Sequence, residues 1–576
     1  MLVHRDNRVL RIVAGVACLV LGAWVLGRPF ASLAVLVIGL AAVLMVLGVR
    51  ELVGEERPWP WVTLLTAGGW FVSALVLLAI PAWGFRVLVV AVGIWLLMEG
   101  LSRVVRGLRG AADDRMTSVL YGAASMVLGV LALRWPDITL TVVALAVGVR
   151  VLWLGLSLVW GALRGMRPAR PARGRLRRVG RAGLAALSLV LALGLAGVSY
   201  MLHATAPVPD AFYATPADVP DEPGQLLRAE PFTRAIPTGA SAWRILYTTT
   251  RDEGVPALAS GLVVTSDERP VGPRPVLAWA HGTTGVAEGC APSLLGDPFE
   301  AGAMPALDEA LAEGWVVVAT DYVGLGTRGP HPYLIGQGEG RSVLDAIRAA
   351  RQLDGLDLGH DTVVWGHSQG GHAALWTGVL ASTYAPDAGV GGVAALAPAS
   401  DLPAMVAGLD DVPVGALFAS FVVAAYDATY PDVRARDLVR PGARIPVEEM
   451  AERCLAERSV LVSVVQNLLF EQSIFSGDPA TGATGDRLSQ NVPSGPIDVP
   501  VLVAQGQSDE LITPTVQAAY VDDRCRTGGE VDYRTYPGMG HLELVAADSP
   551  LVPELLEWTR ARFAGQPVTP AQASGC

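Results

Sequence analysis

The chain has 576 residues, 52% of them hydrophobic and only 17% charged, and its net charge is −11. That length exceeds what one core usually serves, and so low a charged fraction excludes an ordinary water-soluble enzyme. No lysine occurs, the second part is acidic and no basic aromatic cluster exists, so nucleic acid is excluded as a partner.

The charge divides sharply along the chain. Residues 1–202 hold 21 arginines against 8 acidic residues, whereas the remainder holds 22 against 46. Seven apolar runs fill the first part, at 9–27, 30–49, 60–80, 83–101, 116–135, 138–160 and 182–202. A bilayer-spanning helix needs about 17–25 such residues, so each run predicts one crossing. Arg5, Arg8 and Arg11 precede the first run as in a signal peptide, but the further spans directly after it make it an uncleaved anchor. The amino end and the loops 50–57, 103–115 and 164–181 carry 17 arginines, while the intervening turns carry only Arg28, Arg86 and Arg134. Loops rich in arginine stay cytoplasmic, which puts the amino terminus inside and everything after Tyr200 outside.

The first six spans repeat with a period near 53 residues. Pro29, Pro81 and Pro136 each lie in a short turn, and a glycine comes 19 residues later at Gly48, Gly100 and Gly155. Small residues precede the prolines at Gly15 and Gly22, Gly68 and Gly69, and Gly122 and Gly129. Three helical hairpins result, with glycines letting the helices approach closely. Over about 9–163 the pattern resembles the short-repeat, six-span membrane family of the HdeD acid-resistance type. Glu99 and Arg150 are charges within the spans, read as one structural ion pair or as interfacial snorkelling of Glu99. The seventh span comes after the arginine-rich stretch 164–181 and ends near His203-Ala-Thr-Ala206, an A-x-A-like site at which a peptidase would release the outer part. Pro207 directly after that site argues against cleavage, so the outer part is expected to stay tethered.

Residues 203–240 contain seven prolines and no apolar period, and read as a linker or loosely packed arm. Strand-like and helix-like segments alternate after it. Trp243–Thr249 and Ala259–Thr265 predict a hairpin, Pro275–Ala280 and Trp315–Thr320 buried strands, and Ala306–Glu313 and Ser342–Leu353 helices. Thr362–Trp365, Val390–Leu396, Val499–Gln505 and Val531–Tyr536 are further strands. Short apolar runs separated by helices predict a mostly parallel sheet covered on both faces.

The chemistry gathers where these strands end. Gly366-His367-Ser368-Gln369-Gly370 matches G-x-S-x-G between a strand and the helical stretch Gly371–Leu380, a setting that exposes a serine hydroxyl on a tight turn. Serine is a weak nucleophile unless a base, itself held by an acid, takes its proton. Only His372 and His541 come after Ser368, and His372 falls one helical turn on, pointing along the helix. His541, in the glycine-rich loop Gly538–His541, is therefore the base. Asp509, just past Val499–Ala504 and before Pro514, is the acid, with Glu510 its direct competitor and Asp522, Asp523 and Asp532 read as surface carboxylates. The oxyanion donors are the amides of Gln369 and of Thr283 in His281-Gly-Thr-Thr-Gly285, with Thr284 the second choice.

His281–Gly285, Cys290-Ala-Pro-Ser293, Asp321–Gly326, Gly366–Gly370 and Gln505–Asp509 together resemble the secretory lipase family of α/β-hydrolases, over about 225–565. The resemblance implies carboxylic-ester hydrolysis by Ser368, Asp509 and His541 without metal or organic cofactor. It maps a lid or cap onto about 402–495, apolar at Val412–Ala425 and Val460–Phe470 and flexible at Ser476–Gly485, which would cover an acyl pocket and open at a lipid surface. It makes Asp321–Gly326 the pocket edge, with no catalytic role for Asp321. Cys18 is packing within a span; of the four outer cysteines the resemblance favours Cys290 with Cys454, and Cys576 is left free.

The fold class expected is therefore an all-α transmembrane part followed by an α/β-hydrolase with a helical cap. The divisions are a six-span module at 1–163, a loop and seventh helix at 164–202, the arm at 203–240, the hydrolase at 241–565 and a tail at 566–576. The partners are an ester or lipid substrate and the bilayer, at the cell membrane with the hydrolase outside. Two alternatives stand beside ester hydrolysis: acyl transfer by the same triad, or a membrane stress protein whose six-span module is the active part.

Overall fold

The computed structural model describes all residues except 1, 54–59, 80, 110–111, 165–173, 204–206, 269–271, 471 and 567–575. The expected release site at 204–206 lies outside the described residues, as does most of the arginine-rich loop at 165–173. The chain divides into two compact units, Met1–Ala204 with Val439–Glu449 and Leu468–Glu471, and the remainder of Thr205–Cys576.

The first unit is built on seven helices: α1 (Leu2–Gly27), α2 (Pro29–Val53), α3 (Pro60–Ala79), α4 (Pro81–Arg109), α5 (Ala112–Arg134), α6 (Pro136–Arg164) and α7 (Gly174–His203). Proline opens α2, α3, α4 and α6, where its fixed φ suits the first helical position and its missing N–H costs no bond. Arg8–Gly27, Phe85–Arg109, Arg115–Arg134, Pro136–Leu163 and Gly180–Leu202 are long and apolar enough to cross a membrane. The repeat sets the packing. The first helix of each hairpin packs on the second helix of the hairpin before it, α3 on α2 and α5 on α4, and α1 closes the ring on α6. The even-numbered helices α2, α4 and α6 also touch one another, and α7 lies on α5. A Cβ added to Gly100 would lie 2.6 Å from the Gly122 carbonyl oxygen, and one added to Gly155 would lie 2.6 Å from that of Gly15. The glycines thus bring helices together between neighbouring hairpins, a choice of partner that their spacing alone did not name. No described atom lies within 4 Å of a Cβ added to Gly68 or Gly69. Glu99 pairs with Arg103 at 2.6 Å and Arg106 at 3.7 Å on its own helix, so its ion pair is local and not with Arg150.

The second unit holds a nine-stranded sheet in the order β1-β2-β3-β5-β4-β6-β7-β8-β9. Its strands are β1 (Leu226–Phe232), β2 (Ala240–Thr250), β3 (Pro256–Ser266), β4 (Arg274–Ala280), β5 (Val316–Val323), β6 (Leu358–His367), β7 (Val390–Leu396), β8 (Val501–Gly506) and β9 (Val531–Tyr536). Along that order pairing is antiparallel through β1, β2, β3 and β5 and parallel through β5, β4, β6, β7, β8 and β9. Alternation sorts the side chains to two faces. Val276, Ala278 and Val364 pack with Val343, Ala373 and Tyr520, under the helices Gly336–Ala350, Gln369–Tyr384 and Pro514–Arg526. Leu277, Trp279 and Trp365 pack with Leu311, Leu555 and Trp558, under Leu307–Ala312 and Leu551–Phe563. Both faces are covered, as buried parallel strands require. β1 falls inside the stretch read as an unstructured arm. It is an edge strand bonded only to β2, half exposed and carrying Pro231, so it has no alternating burial to show in its sequence. Between β7 and β8 the chain forms the helical cap, with Gly415–Thr429 and Val460–Leu469 its apolar helices.

Candidate active site

The parallel strands end at one edge, and their loops assemble the site there. β6 stops at His367, and the helix Gln369–Tyr384 begins directly after Ser368, whose backbone sits at φ 58° and ψ −118°. Such a conformation costs a non-glycine residue about 1–3 kcal/mol and persists only where its surroundings impose it. The flanking glycines make it possible. A Cβ on Gly366 would lie 1.9 Å from the Gly370 carbonyl oxygen, and one on Gly370 would lie 1.9 Å from that of Ala280. The strand can therefore reverse into a helix within the pentapeptide, which leaves the Ser368 side chain on the wall of a cavity of about 630 Å³.

His541, in the loop after β9, lines the same cavity. Its Nδ1 lies 2.8 Å from Oδ2 of Asp509, whose side chain is fully buried behind it. Asp509 comes just after β8 and is held rigidly: Oδ1 accepts from the Leu511 and Ile512 amides at 2.9 and 2.8 Å, and Oδ2 from Nε2 of Gln505 at 3.1 Å. Glu510 points instead to the cavity rim and is exposed. Asp523 pairs with Arg526, as a surface carboxylate should. Asp532 does not fit that reading, being 7% exposed and paired with Arg534 at 2.7 Å.

The loop after β4 supplies Gly282 and Thr283 to the cavity wall. The Thr283 hydroxyl lies 3.1 Å from that of Tyr333, whereas Thr284 is fully buried and its carbonyl accepts from the Leu455 amide. Gln369 opens its helix, and a first-turn amide has no intrahelical acceptor. Its side chain turns inward, where Nε2 donates to Oε1 of Glu339 at 2.8 Å beside Nε2 of His331. Glu339 also meets Nδ1 of His372 at 2.7 Å and accepts from the Leu334 amide at 2.9 Å, while Nε2 of His372 bonds the Asn491 carbonyl. His372 is thus a buried structural group behind the serine. Glu339, His331 and Asn491 carried no signal in the sequence, since the Gln369 and His372 side chains that they meet lie at least 30 residues away. Burial holds His281 near a pKa of about 4 and His331 near about 3.

Asp321 lies off the cavity, not at its edge. It accepts from the Ser260 hydroxyl at 2.6 Å and from both the amide and the hydroxyl of Ser293, so it anchors the Cys290–Ser293 turn. Burial raises its carboxyl above the usual range. Cys290 is bonded to Cys454, which ties that turn to the cap. Cys576 is not free but bonded to Cys525, because the chain end returns to within 5.7 Å, Cα to Cα, of that residue. From the cap, Val412, Val414, Phe418 and Leu455 complete an apolar side of the cavity.

Comparison with known proteins places these features. Residues 303–571 match the model of the secretory lipase family, and residues 13–72 and 120–196 match a short repeat of unknown function (DUF308). The two matches thus fall on different parts of the chain, the lipase match mostly within the second unit and the short-repeat matches within the first. It is 26% identical to Lipase 6 of Candida albicans, over 66% of this chain and 87% of that one. It is 28% identical to the secreted triacylglycerol lipase LIP4 of Malassezia globosa, over 67% and 87%. A Mycobacterium tuberculosis protein named probable inactive lipase is 29% identical, over 63% and 84%. Among solved structures, Candida antarctica lipase A in its closed state superposes with a TM-score of 0.53 at 20% identity, over 63% of this chain and 88% of that one. The rice cell wall degrading esterase LipA of Xanthomonas oryzae gives 0.50 at 19%, over 60% and 100%. These likenesses show the α/β-hydrolase fold of the second unit.

Proposed function

We propose that the chain is a membrane-anchored serine hydrolase that cleaves carboxylic esters of lipid type outside the cytoplasm. The observation that carries this reading is the 2.8 Å bond between His541 and buried Asp509, opening on the cavity that Ser368 also lines. Ser368 Oγ attacks the ester carbonyl while Nε2 of His541 takes its proton. Asp509 holds the other ring nitrogen protonated and steadies the imidazolium that forms. The carbonyl oxygen becomes an oxyanion between the amides of Thr283 and Gln369. His541 then returns its proton to the departing alcohol, and water, deprotonated by the same imidazole, releases the acid and restores Ser368. The apolar wall of Val412, Val414, Phe418 and Leu455 suits an acyl chain.

The M. tuberculosis relative bears an inactive name, but here serine, acid and base all occur in the order that the fold uses. Anchoring rests on the apolar helices and orientation on the arginine asymmetry of their loops, with the amino terminus cytoplasmic. The test is turnover of p-nitrophenyl esters of increasing chain length by the full chain in detergent, beside Ser368→Ala. Equal rates for the two proteins would end the reading, and preference for short soluble esters would make the protein an esterase. A reporter joined after residue 202 should be active only outside the cell; activity in the cytoplasm would reverse the topology.

A further inference from the structure

His541 sits in a loop that contains Gly538 and Gly540, so its backbone has little intrinsic stiffness. The bond from Nδ1 to Asp509 holds one atom of the ring, which leaves rotation about that bond and the loop's own position to be set by something else. His367, the residue before Ser368, supplies that second constraint. It is 2% exposed at the end of β6, and its Nε2 lies 3.0 Å from the His541 carbonyl oxygen. A carbonyl only accepts, so Nε2 carries the proton and donates. The two imidazole rings are also in contact, with centroids 4.6 Å apart and planes tilted by 42°. The remaining nitrogen, Nδ1, is buried without a partner among the described residues, beside Gly282, where an added Cβ would come within 3.3 Å of it. His367 therefore touches the oxyanion loop on one side and the His541 loop on the other.

We infer that His367 is a positioning residue that fixes the backbone and ring plane of His541 relative to Ser368. The inference rests on the reading of Ser368, His541 and Asp509 as the triad. In G-x-S-x-G the residue before the serine is unrestricted by the backbone turn, so its identity is free to serve such a task. A misplacement of about 1 Å at a reacting group costs on the order of 100-fold in rate. His367→Leu keeps much of the volume and removes the donor, and should lower kcat by about 10- to 100-fold with a much smaller change in KM, because the apolar wall of Val412, Val414, Phe418 and Leu455 is untouched. His367→Gln reaches the Nε2 position with an amide N–H, and should recover most of the loss. His367→Asn reaches only the Nδ1 position and should not.

The experiment is kcat and KM on a p-nitrophenyl ester for the full-length wild type and these three variants, with Tm measured for each and Ser368→Ala as control. Recovery by Gln but not by Asn, at matched Tm, supports the inference. Equal impairment of Gln and Asn at matched Tm overturns it, as does a Leu variant that turns over like wild type. Should the Leu variant fail to fold, the Gln and Asn pair decides alone. Wild-type turnover by Ser368→Ala would overturn the triad reading itself, which is a separate outcome.

Discussion

Glu339 and Gln369 are joined side chain to side chain, Oε1 to Nε2 at 2.8 Å, beneath the first turn of the helix that starts after Ser368. The same carboxylate meets His372 and the Leu334 amide, and it is fully buried. Glu339→Ala leaves three buried groups facing an empty space. Removing one partner of such a cluster costs about 3–5 kcal/mol. Urea unfolding followed by tryptophan fluorescence should show that loss, with Glu339→Gln milder because an amide oxygen still accepts. A loss below about 1 kcal/mol, the scale of an exposed pair, would show that the cluster is not coupled to folding.

Asp509 and Glu510 are neighbours with opposite placements, one bonded to His541 and the other at the rim. Asp509→Asn keeps the shape but reverses the polarity toward Nδ1, favouring the wrong imidazole tautomer. By the serine-protease precedent kcat should fall by about 10⁴-fold, with KM little changed. Glu510→Gln should stay within a factor of about three, the scale of a solvent-screened charge. Steady-state kinetics on one ester settles both, and the reverse ranking would move the acid to Glu510.

Stability should depend on pH through the buried histidines. His281 and His331 titrate near about 4 and 3 in the folded protein, and burial together with the nearby His541 holds His367 well below the ordinary value. In the unfolded chain each titrates near about 6.5. Below that pH the unfolded chain binds more protons, so these groups lower stability progressively as the pH falls from about 6.5 towards 4. Asp252 and Asp345 act oppositely: burial raises both to about 6, so the folded form holds extra protons between the ordinary carboxylate range and 6. Asp321, whose carboxyl burial also raises, adds to that opposing set, so the histidine contribution is isolated by substitution. His331→Gln should flatten the slope of unfolding free energy against pH by about one proton, read from urea midpoints between pH 7 and 4.5. An unchanged slope would mean that His331 is already neutralised in the unfolded ensemble.

Legibility in the sequence tracks the range of the interactions. Val390–Leu396 and Val531–Tyr536 can be read end to end because burial and turn residues bound them locally. That His541 bonds Asp509 and shares a cavity with Ser368 could be anticipated because a short motif and chain order restrict the choices to a few residues. β1 is hidden because an edge strand buries no alternating face. Glu339, His367 and Asn491 are hidden for a different reason: the Gln369, His541 and His372 groups that they meet lie 30, 174 and 119 residues away, and nothing in their own neighbourhood marks them. Cys576 looked free for the same cause, since its partner is 51 residues upstream.

The membrane unit permits an equally specific test. Gly100 on α4 and Gly122 on α5 face each other so closely that a Cβ on either would lie 2.6 Å from the other's carbonyl oxygen. Backbone cannot yield as a side-chain tip can, so even Gly100→Ala must push α4 and α5 apart. Overpacking of this kind costs about 1–3 kcal/mol, and Gly100→Val more. Among the described residues Gly68 on α3 has nothing within 4 Å of an added Cβ, so Gly68→Val is the matched control. Thermal unfolding in detergent should fall for both Gly100 variants and stay within about one degree for Gly68→Val. Ester turnover measured alongside shows whether the helical unit influences the hydrolase: loss of turnover at temperatures where the Gly100 variants are still folded would mean that it does. Equal melting of Gly100→Val and Gly68→Val would refute the glycine-mediated contact between the second and third hairpins.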